Sequence, residues 1–261
     1  MKYIINLFFL FLFAIISMNL KAEIIEEDFD YQIDGLTYQG FIAYDNSIKG
    51  TMPGILIVHQ WKGLGDYEKM RARMLAELGY LAFAVDVYGK DNRPQTREEA
   101  GKEAGKYYAD RDLFKLRVNA GLNEMMKIDN VNKNNIAAIG YCFGGGGVLE
   151  LARSGADIKG VVSFHGSLKS GNPDEAKNIK AKVMIMHGAI DPNVPEEDVI
   201  AFKKEMEDGG VDYVLAEFSG AVHSFTDKNA GNDPSKGSAY NEKADIRSWD
   251  YMKVFFAEIF N

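Results

Sequence analysis

Residues 135–152, "NIAAIGYCFGGGGVLELA", decide the fold. A short apolar run of strand type ends at Gly140, four glycines follow Phe143, and an apolar segment of helical type continues from Val148. Strand, sharp turn and helix in that order place Gly140-Tyr141-Cys142-Phe143-Gly144 on the Gly-x-nucleophile-x-Gly elbow pattern, with cysteine where serine is usual. The elbow holds its central residue in strained backbone geometry, and small residues on either side let strand and helix approach closely. Gly145, Gly146 and Gly147 extend that freedom into the first helical turn, whose exposed amides favour a thiolate. The alternative is a buried, inert cysteine beside a glycine run kept for packing. A phosphate-binding loop is excluded, because Val148 and Leu149 stand where lysine and serine or threonine would be needed.

Outward from this stretch, short apolar runs recur: "GILIVH", "LAFAVD", "IAAIG", "GVVSFHG", "KVMIMHG" and "YVLAEF". Helical patterns separate them at about 66–78, 112–126, 146–152 and 195–208, with a last one over 241–260. Continuous apolar strands alternating with helices predict an α/β fold, a mostly parallel sheet covered on both faces. Ahead of it, "YQIDGLTYQGFIAY" alternates apolar and polar residues around Asp34-Gly35, which predicts an antiparallel N-terminal hairpin. Ligands of such sheets bind outside the carboxyl ends of the strands. The long segment 226–239, "TDKNAGNDPSKGSA", has neither periodicity, and a loop of that length is usually functional or mobile.

A nucleophile needs a base, and the base an orienting acid; elbow folds carry the three in the order nucleophile, acid, base. Downstream of Cys142, Asp191 in "HGAIDPNVP" and His223 in "GAVHSF" each follow a predicted strand, on the same rim as the elbow. Singly, Asp191 also reads as a turn residue and His223 as a surface residue; together and in order they read as acid and base. His59, His165 and His187 are read as satisfied polar residues at strand ends. No His-x-x-x-His or Cys-x-x-Cys spacing supports a metal, and no cofactor motif is present. The oxyanion-binding amides are expected at Phe143 and in the loop "VHQWKGLGDY", at Gln60 and Trp61. Trp61 is also placed to wall a substrate pocket.

The first 22 residues, "MKYIINLFFLFLFAIISMNLKA", have the layout of a secretory signal, with cleavage expected after Ala22 and an exported, periplasmic or secreted product. Removing them takes away Lys2 and Lys21 and no acid, moving the formal net charge from −8 to −10. That balance argues against nucleic acid or an anionic membrane as partner. Residues 23–261 show no repeat or linker and are read as one domain and a monomer. One cysteine excludes a disulfide within the chain.

The pieces "HQWKGLGDY", "LGYLAFAVDVYG", "IGYCFGGG", "HGAIDPNVP", "GAVHSF" and "AYNEKADIRSWDYMKVFFAEIF" resemble the dienelactone hydrolase (carboxymethylenebutenolidase) family of the α/β-hydrolase superfamily. The resemblance implies an α/β-hydrolase fold and a Cys142, Asp191, His223 triad cleaving small esters or lactones through a thioester. It also implies two departures. Relatives commonly carry a glutamate near the nucleophile where this chain has Gln60. The dienelactone hydrolases hold a substrate carboxylate with arginines at places occupied here by Lys90 and Asp227, and an acid there would repel an anionic substrate. Gln60, Trp61, Lys90, Tyr141, Phe143 and Asp227 are the expected substrate-contacting residues, with Trp61, Tyr141 and Phe143 restricting access to the thiol. A thiol redox or sensor protein on the same fold is the competing reading, and a binding module with a degraded site a third.

Overall fold

The computed structural model describes residues 23–261, so the leader expected at 1–22 lies outside the described residues. The chain opens with β1 (Ile24–Ile33) and β2 (Leu36–Asp45), an antiparallel pair. Asp34 and Gly35 between them both have positive φ, 52° and 79°, the geometry a two-residue turn needs to match strand twist. β2 then pairs antiparallel with β4 (Leu81–Val85). From there the sheet is parallel: β3 (Met52–Val58), β5 (Val131–Tyr141), β6 (Gly160–Phe164), β7 (Lys182–Gly188) and β8 (Tyr213–Phe218). Its spatial order is β1-β2-β4-β3-β5-β6-β7-β8.

Successive residues of these strands enter opposite layers, as strand geometry requires. Leu56 and Val58 of β3 join one core, with α2 (Arg97–Ala109), α3 (Arg111–Met125), α4 (Phe143–Arg153) and α5 (Glu196–Gly209). Ile55 and Ile57 join the other, under α1 (Asp66–Glu77) and α6 (Glu242–Ile259). Burial on both faces explains why the inner strands β3, β4, β6 and β7 read as unbroken apolar runs. Among the described residues no helix is long and apolar enough to cross a membrane.

Two helical expectations need correction. α4 begins at Phe143 and not at Gly146, because the contacts of the glycines outweigh their poor helix propensity. A Cβ on Gly144 would lie 2.1 Å from the Val58 carbonyl oxygen, and one on Gly140 1.9 Å from that of Gly144. α2 is absent from the apolar pattern altogether: its sequence, "REEAGKEAGKYYA", has two glycines and few apolar residues. Its signal is the capping box, in which Thr96 accepts from the Glu99 amide and Glu99 returns to the Thr96 amide.

Candidate active site

Strand ends bring three side chains together. β5 delivers Cys142 at φ 55° and ψ −113°, a conformation non-glycine residues hold only when the surroundings enforce it. The Cys142 amide donates to the Phe164 carbonyl at 3.0 Å, and its carbonyl accepts from the Gly145 amide at 3.0 Å. Asp191 follows β7, and its Oδ1 accepts the Asn193 amide at 2.8 Å. His223 follows β8, where its carbonyl accepts the Ala239 amide at 3.0 Å. The segment 226–239, which contains two short 3-10 turns, thus folds back to brace the histidine.

His223 Nδ1 lies 2.8 Å from Asp191 Oδ2 and Nε2 lies 3.0 Å from Cys142 Sγ. Asp191 is buried and its carboxylate can only accept, so His223 carries its proton on Nδ1 and turns Nε2 toward the thiol. Burial opposes a charged imidazole, but the thiolate form of Cys142 and the Asp191 carboxylate outweigh it and push His223 up to about 10. The imidazole thus faces the thiol with one ring nitrogen and the carboxylate with the other.

The oxyanion expectation is narrowed. The Gln60 amide donates to Glu68 Oε1 at 3.0 Å, so it is not free to meet a substrate oxygen. Phe143 at the first turn of α4 has no intrahelical acceptor for its amide, and the Trp61 amide has no protein acceptor among the described residues. The Trp61 peptide is held by Tyr88, whose hydroxyl donates to the Trp61 carbonyl at 2.9 Å. Glu68 Oε2 also accepts the Gly65 amide at 2.9 Å, so one carboxylate ties both ends of this loop.

Burial is the largest influence on Glu68 and pushes its carboxyl up to about 7, against the pull of the two amides. A carboxyl that binds its proton more tightly folded than unfolded contributes most to stability below its unfolded value of 4.5. That contribution is lost as pH rises to about 7. Across this window the wild type should lose on the order of 3 kcal/mol relative to Glu68→Gln in urea unfolding. A difference independent of pH would contradict it.

A cavity of about 700 Å³ opens over Cys142 and His223. Trp61 lines it as expected, but most of one wall is α2, through Arg97, Gly101, Ala104, Gly105 and Tyr108. A Cβ on Gly105 would meet nothing within 4 Å, so this glycine leaves open volume. Arg97 lies over the Trp61 ring at 5.4 Å and Arg111 over the Tyr108 ring at 5.1 Å. With Lys169 they make three cations around the cavity, and no aspartate or glutamate lines it.

The other residues expected at the substrate lie outside the lining of this cavity. Tyr141 and Phe143 flank the nucleophile, but their side chains enter opposite cores and are fully buried. Lys90 pairs with Asp30 of β1 at 2.7 Å on the surface, from a short 3-10 turn, Lys90–Asn92, that packs against β2. Gln60 and Asp227 bond each other at 3.2 Å in a neighbouring cavity of about 540 Å³, which shares Trp61, Arg97, Ser224 and Ser238 with the first. Of the other histidines, His59 accepts the Val87 amide at Nε2 and His165 bonds at both ring nitrogens. His187 departs from the satisfied reading, with no partner for Nδ1 among the described residues.

Comparison with known proteins agrees with this architecture. A crystal structure of a dienelactone hydrolase-like promiscuous phosphotriesterase from metagenomic libraries superposes with a TM-score of 0.88 at 35% identity, covering 92% of this chain and 100% of that one. A Caenorhabditis elegans protein of uncharacterized role is 35% identical over 150 residues, 56% of this chain and 94% of its own length. A Bradyrhizobium protein named "Probable 2-oxo-3-(5-oxofuran-2-ylidene)propanoate lactonase" is 25% identical over 214 residues, 77% of this chain and 86% of its own. The sequence profile of the dienelactone hydrolase family matches residues 39–260, from β2 through the last turn of α6. Elbow, strand order and profile agree: the chain belongs to the dienelactone hydrolase family and is a hydrolase of esters or lactones.

Proposed function

We propose that the protein cleaves small esters or lactones bearing a negative charge, with Cys142 as nucleophile, His223 as base and Asp191 as its orienting acid. The observation that carries this reading is the pair of contacts at 3.0 and 2.8 Å from the elbow cysteine through His223 to Asp191. The Cys142 thiolate attacks the carbonyl carbon while the Phe143 and Trp61 amides hold the oxygen. Collapse of the tetrahedral adduct expels the alcohol, protonated by His223, and leaves a thioester on Cys142. His223 then takes a proton from water, which attacks the thioester and releases the acid. A thiolate is itself easily expelled, so activated esters, enol lactones and thioesters are better substrates than amides.

Charge around the cavity supports the substrate class. In a chain of net charge −8, the cavity wall carries Arg97, Arg111 and Lys169 and no carboxylate, with Glu150 and Asp198 pairing Arg111 and Lys169 from behind it and Arg97 in no salt bridge among the described residues. Such a lining attracts anions and weakens with added salt. Export behind the apolar leader at 1–22 belongs to the same proposal.

Wild-type protein is expected to hydrolyse 4-nitrophenyl acetate and, by about tenfold or more in kcat/KM, to prefer 4-nitrophenyl hemisuccinate. A quenched single turnover should show the acyl group on Cys142 by mass spectrometry. No Cys142-linked acyl group and no turnover would reject the hydrolytic reading. Turnover without charge preference would reject the anionic class alone.

A further inference from the structure

The buried polar groups beneath the site form a second chain of contacts that the reaction scheme does not use. His165, at the end of β6, is 1% exposed and sits at φ 40°. Its Nδ1 is 3.2 Å from the Cys142 amide nitrogen, which it shares with the Phe164 carbonyl, and its Nε2 is 2.8 Å from Thr226 Oγ1. Thr226 lies three residues beyond His223 and is held from the other side. Tyr67 of α1 bonds the same hydroxyl at 2.6 Å. Arg71 donates to the Thr226 carbonyl at 3.0 Å and to Asp245 of α6 at 2.6 Å.

Donor rules determine the tautomer. Nδ1 faces an N–H and must present its lone pair, so the proton is on Nε2 and is donated to Thr226. A doubly protonated ring would set two N–H groups against each other at Cys142. Burial, the neighbouring His223 and Arg71 all hold His165 well below the usual histidine range, so it stays neutral. A positive φ at a non-glycine residue costs on the order of 1–3 kcal/mol, and the bonds at both ring nitrogens supply what holds it there.

We propose that His165 is a positioning residue: it ties the backbone of the nucleophile to the loop that carries the base, and so sets the approach of Cys142 Sγ to His223 Nε2. The two catalytic side chains arrive from different strands, β5 and β8, with no covalent constraint on their spacing. His165 reaches both loops with one rigid ring. It does not line the cavity; its ring packs edge-on against that of His223, 5.3 Å between centroids, and bonds the Cys142 amide, so its effect passes through these two residues.

This rests on the hydrolytic reading, and the test separates the two. Thr226→Val keeps the side-chain shape and removes the hydroxyl that His165 bonds; Thr226→Ser keeps the hydroxyl. Expected is a fall of about 10–100-fold in kcat on 4-nitrophenyl acetate for Thr226→Val and for His165→Phe, with KM changed by less than about twofold. Thr226→Ser should recover to within about threefold of wild type. The rate at which iodoacetamide alkylates Cys142 should fall with kcat, a signature that loss of stability alone does not produce. Should His165→Phe fail to fold, Thr226→Val decides. Wild-type kcat and alkylation rate in Thr226→Val overturn the proposal, as does a lowered melting temperature with kcat unchanged. A wild-type protein without Cys142-dependent turnover overturns the hydrolytic reading, and this inference with it.

Discussion

Cys142→Ala is expected to lower kcat/KM for ester hydrolysis by about 10,000-fold or more, leaving only what the oxyanion amides and the binding pocket accelerate. Alanine keeps the Cβ and the strained backbone and removes only the sulfur, which is partly exposed, so the fold should be retained. Cys142→Gly gives a check on the elbow itself. At φ 55° glycine carries no Cβ penalty, and the glycine variant should be more stable than the alanine variant by about 1 kcal/mol while equally inactive. Parallel activity assays and thermal melts decide both points. Residual turnover within a hundredfold of wild type would remove Cys142 from the role of nucleophile.

Asp191→Asn is expected to lower kcat by about 10,000-fold with little effect on KM, through the wrong tautomer of His223. The reason lies in the second contact of the carboxylate. Oδ1 accepts the Asn193 amide at 2.8 Å, so an asparagine would turn its carbonyl oxygen to that donor and its NH2 toward His223. The imidazole would then accept at Nδ1, carry its proton on Nε2, and offer the thiol no lone pair. Steady-state kinetics with a circular dichroism control measure this. Loss of less than tenfold would show that Asp191 does not orient the base. A thiol redox protein needs neither Asp191 nor His223, so this variant also separates that function from hydrolysis.

The order of strands and helices was legible because burial on both faces leaves an unbroken apolar record in the inner strands β3, β4, β6 and β7 and in the second half of β5. Cys142, Asp191 and His223 were legible for a related reason: Cys142 directly follows a strand, Asp191 and His223 lie three and five residues beyond theirs, and strand ends of a parallel sheet share one rim. α2 was not, because Gly101 and Gly105 keep volume open in the cavity and so erase the apolar periodicity that marks a packed helix. Nearness in sequence misled for Tyr141 and Phe143. Either side of a sharp turn, adjacent side chains diverge, and these two enter the cores on opposite faces of the sheet.

Local pattern alone thus determines the α/β architecture, the elbow and the three side chains on its rim, since these depend on periodicity and on the steric demands of glycine. Tertiary packing decides the rest. It spends the Gln60 amide on Glu68 and leaves the Trp61 amide free, places Arg97, Arg111 and Lys169 around the cavity over the thiol, and pairs Asp227 with Gln60 in the adjoining one. It also brings His165 between Cys142 and Thr226. Hydrogen-bond allocation and the charge of a cavity belong to groups far apart in the chain, and only the closed fold makes them neighbours.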